Sequence, residues 1–256
     1  MRIAILSDLH GNLEALNAVI VDVTGQNPFD QLVVAGDLAW SGPWPAEVVD
    51  RVRSLGAAVI QGNTDAFFGR SAGDTPPGKQ DDRFAAQLAW MQAQLGPERV
   101  AFLAGLPFSH RISPAVGHDL LIVHANPADL NRAIYPTLPD AELDRLLLGE
   151  DGGEPDWQAL AFGHVHVPFT RRWRGRLLAD VGSVGLPMDG DPRAMYAILT
   201  WDRGGWRVEH RRVYYPAPVV AHQMRTCGMP RGKHFAERLM AAGYDGMAPT
   251  TVAMQE

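Results

Sequence analysis

Five short apolar segments, spread over the first two thirds of the chain, each run straight into side chains that ligate metals. "RIAILSDLH" leads to Asp8 and His10, "QLVVAGD" to Asp37, "GAAVIQGN" to Asn63, "DLLIVH" to His124, and "WQALAFGHVH" to His164 and His166. An apolar run of four to eight residues bounded by Gly and Asp reads as a buried strand. Burying an Asp or His at its tip costs free energy unless the tip faces a partner. In open α/β sheets the crevice beyond the carboxyl ends of the strands is where ligands gather. The pattern therefore predicts an α/β fold whose strand tips converge on one site.

The segments between these runs fit that layout. Asn12 to Val23 places Leu13, Leu16, Ala18 and Ile20 at near-helical spacing, and Pro45 to Leu55, Asp140 to Leu148 and Pro230 to Gly243 read as further helices. Phe84 to Leu103 reads as a helix broken at Gly96 and Pro97. "PFSHRI" and "DLLIVHA" read as paired strands, and "FTRRW", "RLLADVGS", "MYAILTW" and "WRVEHRRV" as a mostly antiparallel run. The Gly/Pro/Asp-rich stretch from Phe67 to Asp82 is expected to be a surface loop and a lid, and the tail from Asp245 to Glu256 has no periodicity and is expected to be mobile. At 256 residues and 46% apolar content the chain suits one large domain, and nothing marks a repeat or a second core. The expected division is a domain over 1–216 and a helical extension over 217–256 packed on it.

Charge and cysteine usage narrow the partners. A net charge of −6 gives no global positive field to recruit nucleic acid or an anionic membrane, so anion binding must be local. The lone Cys227 forms no intramolecular disulfide, and no basic leader or membrane-length apolar run is present, so a cytoplasmic protein without a membrane partner is expected. Oligomeric state is not encoded legibly.

The strand-tip residues suggest their chemistry. In extended chain, residues two apart point the same way, so Asp8 and His10 can reach one ion, and His164 and His166 can face one cleft. Asp37 on a tight loop can offer its carboxylate to two ions. Phosphoester hydrolysis uses such a pair of ions to hold a nucleophilic hydroxide and clamp the phosphoryl oxygens. Two divalent cations outweigh the carboxylates of Asp8 and Asp37, because imidazole and the Asn63 amide are neutral, so the filled site would stay positive and suit a phosphate. Gly11, Gly36, Gly62 and Gly163 allow close approach of the ligands.

In this order the motifs D-x-H, G-D, G-N, H and G-H-x-H resemble the calcineurin-like metallophosphoesterase superfamily, and "GSVGLPMDGDPRA" (Gly182 to Ala194) is similar to its small YfcE-like phosphodiesterase branch. The resemblance implies two packed mixed β-sheets flanked by helices in a four-layer sandwich. It implies one metal on Asp8, His10, Asp37 and His166, and a second on Asp37, Asn63, His124 and His164. Mn or Fe is implied by the same resemblance, with Zn, Ni or Co also suited to a thiolate-free imidazole and carboxylate site. Asp37, Asn63 and His124 form the candidate catalytic set. The expected activity is hydrolysis of phosphodiesters or phosphomonoesters by a metal-bridging hydroxide, on small or nucleotide-type substrates including phosphoanhydrides such as dinucleoside polyphosphates.

One departure bears on mechanism. Many members of the family carry a His directly after the Asn, whereas this chain reads Gly62-Asn63-Thr64-Asp65. Thr64 cannot act as a general acid at neutral pH, and such acids are worth about a hundredfold to ten-thousandfold. The YfcE-like branch often lacks that His as well.

Other residues carry weaker signals. Thr64, Asn12 and Arg193 are candidate substrate contacts. Asn12 serves equally as a helix cap, and Arg193 equally as a partner of Asp189 or Asp191. Trp40 and Trp44 read as part of a structural lid, with stacking on a base as the lesser alternative. His110, His118, His210, His222 and His234 read as surface or turn histidines, and "RRWRGR" (Arg171 to Arg176) as a solvated hairpin turn rather than a nucleic-acid patch. Competing readings are a nuclease or cyclic-nucleotide phosphodiesterase, a protein Ser/Thr phosphatase and a non-catalytic protein-binding scaffold of the same fold. The phosphatase is disfavoured because its G-D-x-x-D-R-G motif is here Gly36-Asp37-Leu38-Ala39-Trp40-Ser41-Gly42. The scaffold is disfavoured because its relatives have lost ligands that this chain keeps.

Overall fold

The computed structural model describes residues 1–26, 28–69, 82–149 and 152–243. Strands β1 (Arg2–Leu6), β2 (Gln31–Val34) and β3 (Ala58–Val59) run parallel. They join β9 (Ala194–Asp202) and β10 (Gly205–Val213) in a five-stranded sheet of order β10-β9-β1-β2-β3. The second sheet has order β4-β5-β6-β8-β7, from β4 (Ser109–Ile112), β5 (Leu120–Val123), β6 (Ala159–Phe162), β7 (Phe169–Trp173) and β8 (Arg176–Asp180). β8 inserts between β6 and β7, parallel to the first and antiparallel to the second. The C-terminal strands are thus not simply an antiparallel run, because the β8 register with β6 completes the parallel core of the second sheet.

Period-two alternation explains how the sheets stack. Ile3 and Ile5 of β1 meet Leu120 and Ile122 of β5 and Ala159 and Ala161 of β6 in the layer between the sheets. Their neighbours Ala4 and Leu6 face helices on one outer side, and Leu121, Val123, Leu160 and Phe162 face the other. Apolar packing therefore falls into three layers rather than one core, the arrangement expected of two sheets covered on both outer faces. Each fully buried Ile or Leu contributes roughly 1.5–3 kcal/mol, which makes the register of β1 costly to shift by one residue.

The helices follow their sequence signals. α1 (Leu13–Gly25) is capped by Asn12, whose side chain accepts from the Ala15 N–H, and it buries Ala15, Leu16, Val19, Ile20 and Val23. α2 (Pro45–Ser54) starts with Pro in its first turn, where a missing N–H costs nothing. α3 (Asp82–Ala104) breaks at Gly96, which adopts φ 71° ahead of Pro97. α4 (Asp140–Leu147) covers the second sheet through Leu143, Leu146 and Leu147. α5 (Ala217–Thr226) and α6 (Gly232–Ala241) pack on the first sheet's outer layer through Val220, Met224, Phe235 and Leu239. The expected mobile tail and most of the expected lid loop lie outside the described residues.

Candidate metal centre

The strands stop short of the ligands. β1 ends at Leu6 and β6 at Phe162, and the residues that follow leave extended geometry. Asp8, His10, Asp37, His164 and His166 all have left-handed backbones, with φ of 54°, 46°, 56°, 74° and 60°. Side chains rarely adopt that region, at about 1–3 kcal/mol each, and such strain gathers where function over-determines it. Same-side projection along an extended chain is therefore not what brings Asp8 to His10 or His164 to His166. The tips curl, and hydrogen bonds lace them together: Asp8 N–H to Gly36 O (3.0 Å), His10 N–H to Asp37 O (2.9 Å), Gly163 N–H to His124 O (2.9 Å) and Gly185 N–H to Asp8 O (2.9 Å). Two glycines make this curling possible. A Cβ on Gly62 would lie 2.1 Å from Asp37 Oδ1, and one on Gly163 would lie 2.3 Å from Asp8 Oδ2.

The tautomers are set by the backbone. The Nδ1 atoms of His10, His124 and His166 face the carbonyls of Trp40 (2.8 Å), Ala35 (2.9 Å) and Leu186 (2.6 Å). A carbonyl only accepts, so each Nδ1 carries the proton and each Nε2 presents a bare lone pair. Two of those lone pairs face one another, His10 Nε2 and His166 Nε2 being 3.1 Å apart. Asp8 Oδ1 lies 3.1 Å from His166 Nε2 and 3.8 Å from His10 Nε2, buried and without a hydrogen-bond donor among the described residues.

A second cluster repeats the motif. His164 Nε2 faces the Asn131 carbonyl (3.0 Å), which leaves His164 Nδ1 bare at 3.1 Å from Asn63 Oδ1. His124 Nε2 lies 2.9 Å from the same amide oxygen. Asp37 stands between the clusters, with Oδ1 3.6 Å from His124 Nε2 and Oδ2 3.8 Å from His10 Nε2. Neutral acceptors that converge without a proton to share repel one another, and a cation is their complement. Two groups, Asp8/His10/His166 and Asp8/Asp37/His124, have ligand atoms all within 4.8 Å of each other. The donor set thus fits two metal ions.

Burial and charge act together here. Burial would raise the Asp8 carboxyl, but His166, His124 and His10, when protons take the place of a cation on them, outweigh it and hold Asp8 well below the usual carboxylate range. Burial drops His10 to about 4, reinforced by His166 and opposed by Asp37 and Asp8. Burial also works to lower His124, yet Asp37 and Asp8 leave it above its ordinary value. His164 is lowered, first by burial and then by His124.

The remaining sequence candidates divide. Asn12 is wholly buried, with its oxygen on the Ala15 N–H and its amide on Gly185 O (3.0 Å) and the Tyr215 hydroxyl (3.3 Å), the bonds of a cap that also ties α1 to the loop after β8. Both polar atoms of Asn12 are thus engaged within the protein, as the helix-cap alternative has it. Arg193 forks onto Asp191 at 2.5 and 3.0 Å, as the pairing alternative has it. Thr64 is brought to the centre: its N–H donates to Asp37 Oδ1 (2.9 Å), and its buried hydroxyl has no partner among the described residues. The Trp40 ring packs on Phe67, Phe68 and Phe84 at 5.3–6.1 Å between centroids.

Sequence reasoning missed Asp65. Its carboxylate is fully buried and accepts the N–H groups of Asp37 (2.8 Å), Gly62 (3.0 Å) and Leu38 (3.0 Å), knitting the β2 tip to the β3 tip. Burial, then the neighbouring Asp37, pushes it up to about 7. The fourth residue of "GNTD" was the available signal. Asn131, which orients His164, had none.

Comparison with known proteins places this geometry. The model of the calcineurin-like phosphoesterase superfamily domain matches residues 1–204. The chain belongs to that superfamily. It is a metallophosphoesterase by family, and the fold agrees: a metallophosphoesterase from Sphaerobacter thermophilus superposes with a TM-score of 0.74 at 31% identity, over 94% of this chain and 99% of that one. Phosphodiesterase YfcE of Escherichia coli K12 is 24% identical over 213 residues, covering 79% of this chain and 89% of its own. The symmetrical bis(5'-nucleosyl)-tetraphosphatase of Nitrosococcus oceani is 27% identical over 180 residues, 69% of this chain and 60% of its own. Among the described residues of this metallophosphoesterase, no helix is long and apolar enough to cross a membrane.

Proposed function

We infer that the chain hydrolyses small phosphoesters with two metal ions, one on Asp8, His10, Asp37 and His166 and one on Asp37, Asn63, His124 and His164. What supports this reading is the pair of proton-free acceptor clusters flanking one carboxylate, Asp37. Imidazole, carboxylate and amide donors without a thiolate suit Mn or Fe first, and also Zn, Ni or Co. Bound there, the ions would supply Lewis-acid neutralisation of phosphoryl charge and a nucleophile at neutral pH. The chain's part is preorganisation. Carbonyls of Trp40, Ala35, Leu186 and Asn131 lock four imidazole tautomers, and Asp65 holds the loop of Asp37. Asp37, Asn63 and His124, which crowd together at 2.9–3.6 Å, are the catalytic set in this reading.

Substrates of the nucleotide or phosphoanhydride type are favoured, since Thr64 offers a buried hydroxyl to a phosphoryl oxygen but no proton at neutral pH to a poor leaving group. The phosphodiesterase and tetraphosphatase names of the two curated relatives support that direction. In the same reading residues 1–216 form the catalytic unit, with 217–256 as its helical extension, and the protein works in the cytoplasm, where a lone Cys227 stays reduced. A non-catalytic scaffold would have no use for strained, proton-free ligands.

The test is a metal-supplemented screen of phosphomonoesters, diesters and dinucleoside polyphosphates, with metal content measured on the same preparation. Turnover that tracks metal content, with Asp37→Asn lowering both, is the expected outcome. Full activity and normal metal content in Asp37→Asn would overturn the assignment.

A further inference from the structure

A second polar cleft, of about 250 Å³, opens at the end of the sandwich away from the metal centre. Its position follows from strand direction. The metal ligands follow β5 and β6, whereas His118 and Gln158 in the cleft precede those same strands, and Gly175 precedes β8, which runs parallel to them. The other wall is the turn between β9 and β10, through Arg203, Gly204 and Gly205, with Trp206 at its base. The Trp206 indole N–H donates to the His118 carbonyl (2.8 Å) and the Gly204 N–H to Asp202 (2.8 Å), so both walls are held in place. The volume would take roughly eight waters at ~30 Å³ each, or a tetrahedral anion with part of its hydration.

Charge is what distinguishes the cleft. Arg172 lies opposite Leu177, a residue of the layer between the sheets, so on edge strand β7 it sits on the face turned toward the other sheet. Arg203 comes from that other sheet. Neither arginine forms an ion pair among the described residues, whereas the arginines around them do: Arg174 with Asp144 and Glu154, Arg176 with Glu154, Arg111 with Asp119 and Asp156, and Arg207 with Asp202. In a chain of net charge −6, two exposed arginines without an ion pair among the described residues thus line one concavity from opposite sheets, while the nearby carboxylates are engaged elsewhere. A dianion that accepts from both forks would supply the counter-charge that neither arginine has among the described residues, and planar guanidinium groups match phosphoryl oxygens in geometry.

We propose that this cleft is a binding site for a phosphoryl dianion, either free phosphate or the head of a phosphate monoester, held by Arg172 and Arg203 with Gln158 and His118 as further polar contacts. It is separate from the metal centre and does not depend on the function inferred for it. The solvated hairpin turn expected of "RRWRGR" fits Arg172, which is exposed and without an ion pair among the described residues, while Arg171, Arg174 and Arg176 are paired with acidic neighbours.

The experiment is calorimetric titration of the metal-loaded protein with orthophosphate and, separately, with methylphosphonate as a non-hydrolysable monoester head. The same titrations are run on Arg172→Gln, on Arg203→Gln and on the double variant, and the arginine Nε–H NMR signals are followed in metal-free protein. Expected is an additional site lost in the double variant, or weakened about tenfold or more by each single change, with Nε–H shifts of Arg172 and Arg203 present without metal and turnover of a small substrate unchanged. Binding of orthophosphate alone points to free phosphate, and binding of both to a phosphoryl head. Equal stoichiometry in wild type and variant with unmoved Nε–H signals overturns the proposal. So does binding seen only at low ionic strength, which marks an adventitious ion only.

Discussion

Asp65→Asn isolates the carboxylate that holds the two ligand loops. Oδ2 of Asp65 accepts from Asp37 and Gly62 and Oδ1 from Leu38. An amide keeps a single carbonyl oxygen. Set at the Oδ2 position, it retains two bonds and turns its NH₂ against the Leu38 N–H, leaving a buried donor unmet at about 1–3 kcal/mol. For a chain of this size each kcal/mol lowers the melting temperature by about 2–4 °C, so a loss of roughly 2–12 °C is expected in metal-free protein below about pH 7, where Asp65 is already neutral and no relief of its repulsion with Asp37 offsets the lost bond. Asp65→Ala orphans three N–H groups and should cost about 3–9 kcal/mol at 1–3 each, a large share of a typical domain's stability. Since Asp37 then loses its fixed backbone, metal affinity should fall about 10- to 100-fold in Asp65→Asn, as it does when the group orienting a ligand is removed. Melting curves without metal and a chelator-competition titration with Mn separate the two effects. Wild-type metal affinity in a destabilised Asp65→Asn would refute the positioning role, and an unchanged melting temperature would refute the hydrogen-bond accounting.

Gly163→Ala should lower metal content and activity together, because its Cβ would meet the Asp8 carboxylate at 2.3 Å; overpacking of this kind costs about 1–3 kcal/mol, and a fully loaded, stable variant would contradict the geometry. His166→Ala and His164→Ala should deplete different ions in anomalous scattering, His166 standing with His10 and His164 with Asn63; depletion of the same ion by both would show that the clusters are not separate sites. Acidification should empty the His124 half first, because His124 holds its proton above the ordinary histidine value, so protons compete there as pH falls through the neutral range, whereas His10, lowered to about 4, stays neutral well below it; release of both ions together, or in the reverse order, counts against this. Thr64→His should speed esters with poor leaving groups more than activated aryl esters or phosphoanhydrides, by supplying the missing proton; an equal effect across a graded leaving-group series would mean that another residue already provides it.

What could be read from the chain, and what could not, follows from the physics of each signal. Hydrophobic alternation and apolar run length are local, so β1, β5, β6 and α1 stand close to where the sequence puts them, and the tips of the strands are marked because Asp8, His124 and His166 are polar where the run demands apolar residues. Strand order is non-local: nothing in "RLLADVGS" says that it will insert beside β6, since that depends on cross-strand packing of Leu177 and Ala179 against a segment some twenty residues earlier. The left-handed backbones of Asp8, His10 and Asp37 were equally hidden, because the sequence signal for such conformations is glycine and here ligand residues adopt them. Asn12 and Asp65 show the same limit from two sides. Both are short polar side chains beside ligands, both are wholly buried, and both spend their oxygens on backbone N–H groups. A sequence marks where polarity must be satisfied but not by what: Asn12, read equally as a cap and as a substrate contact, makes the bonds of a cap, and Asp65, given no role, holds the Asp37 loop.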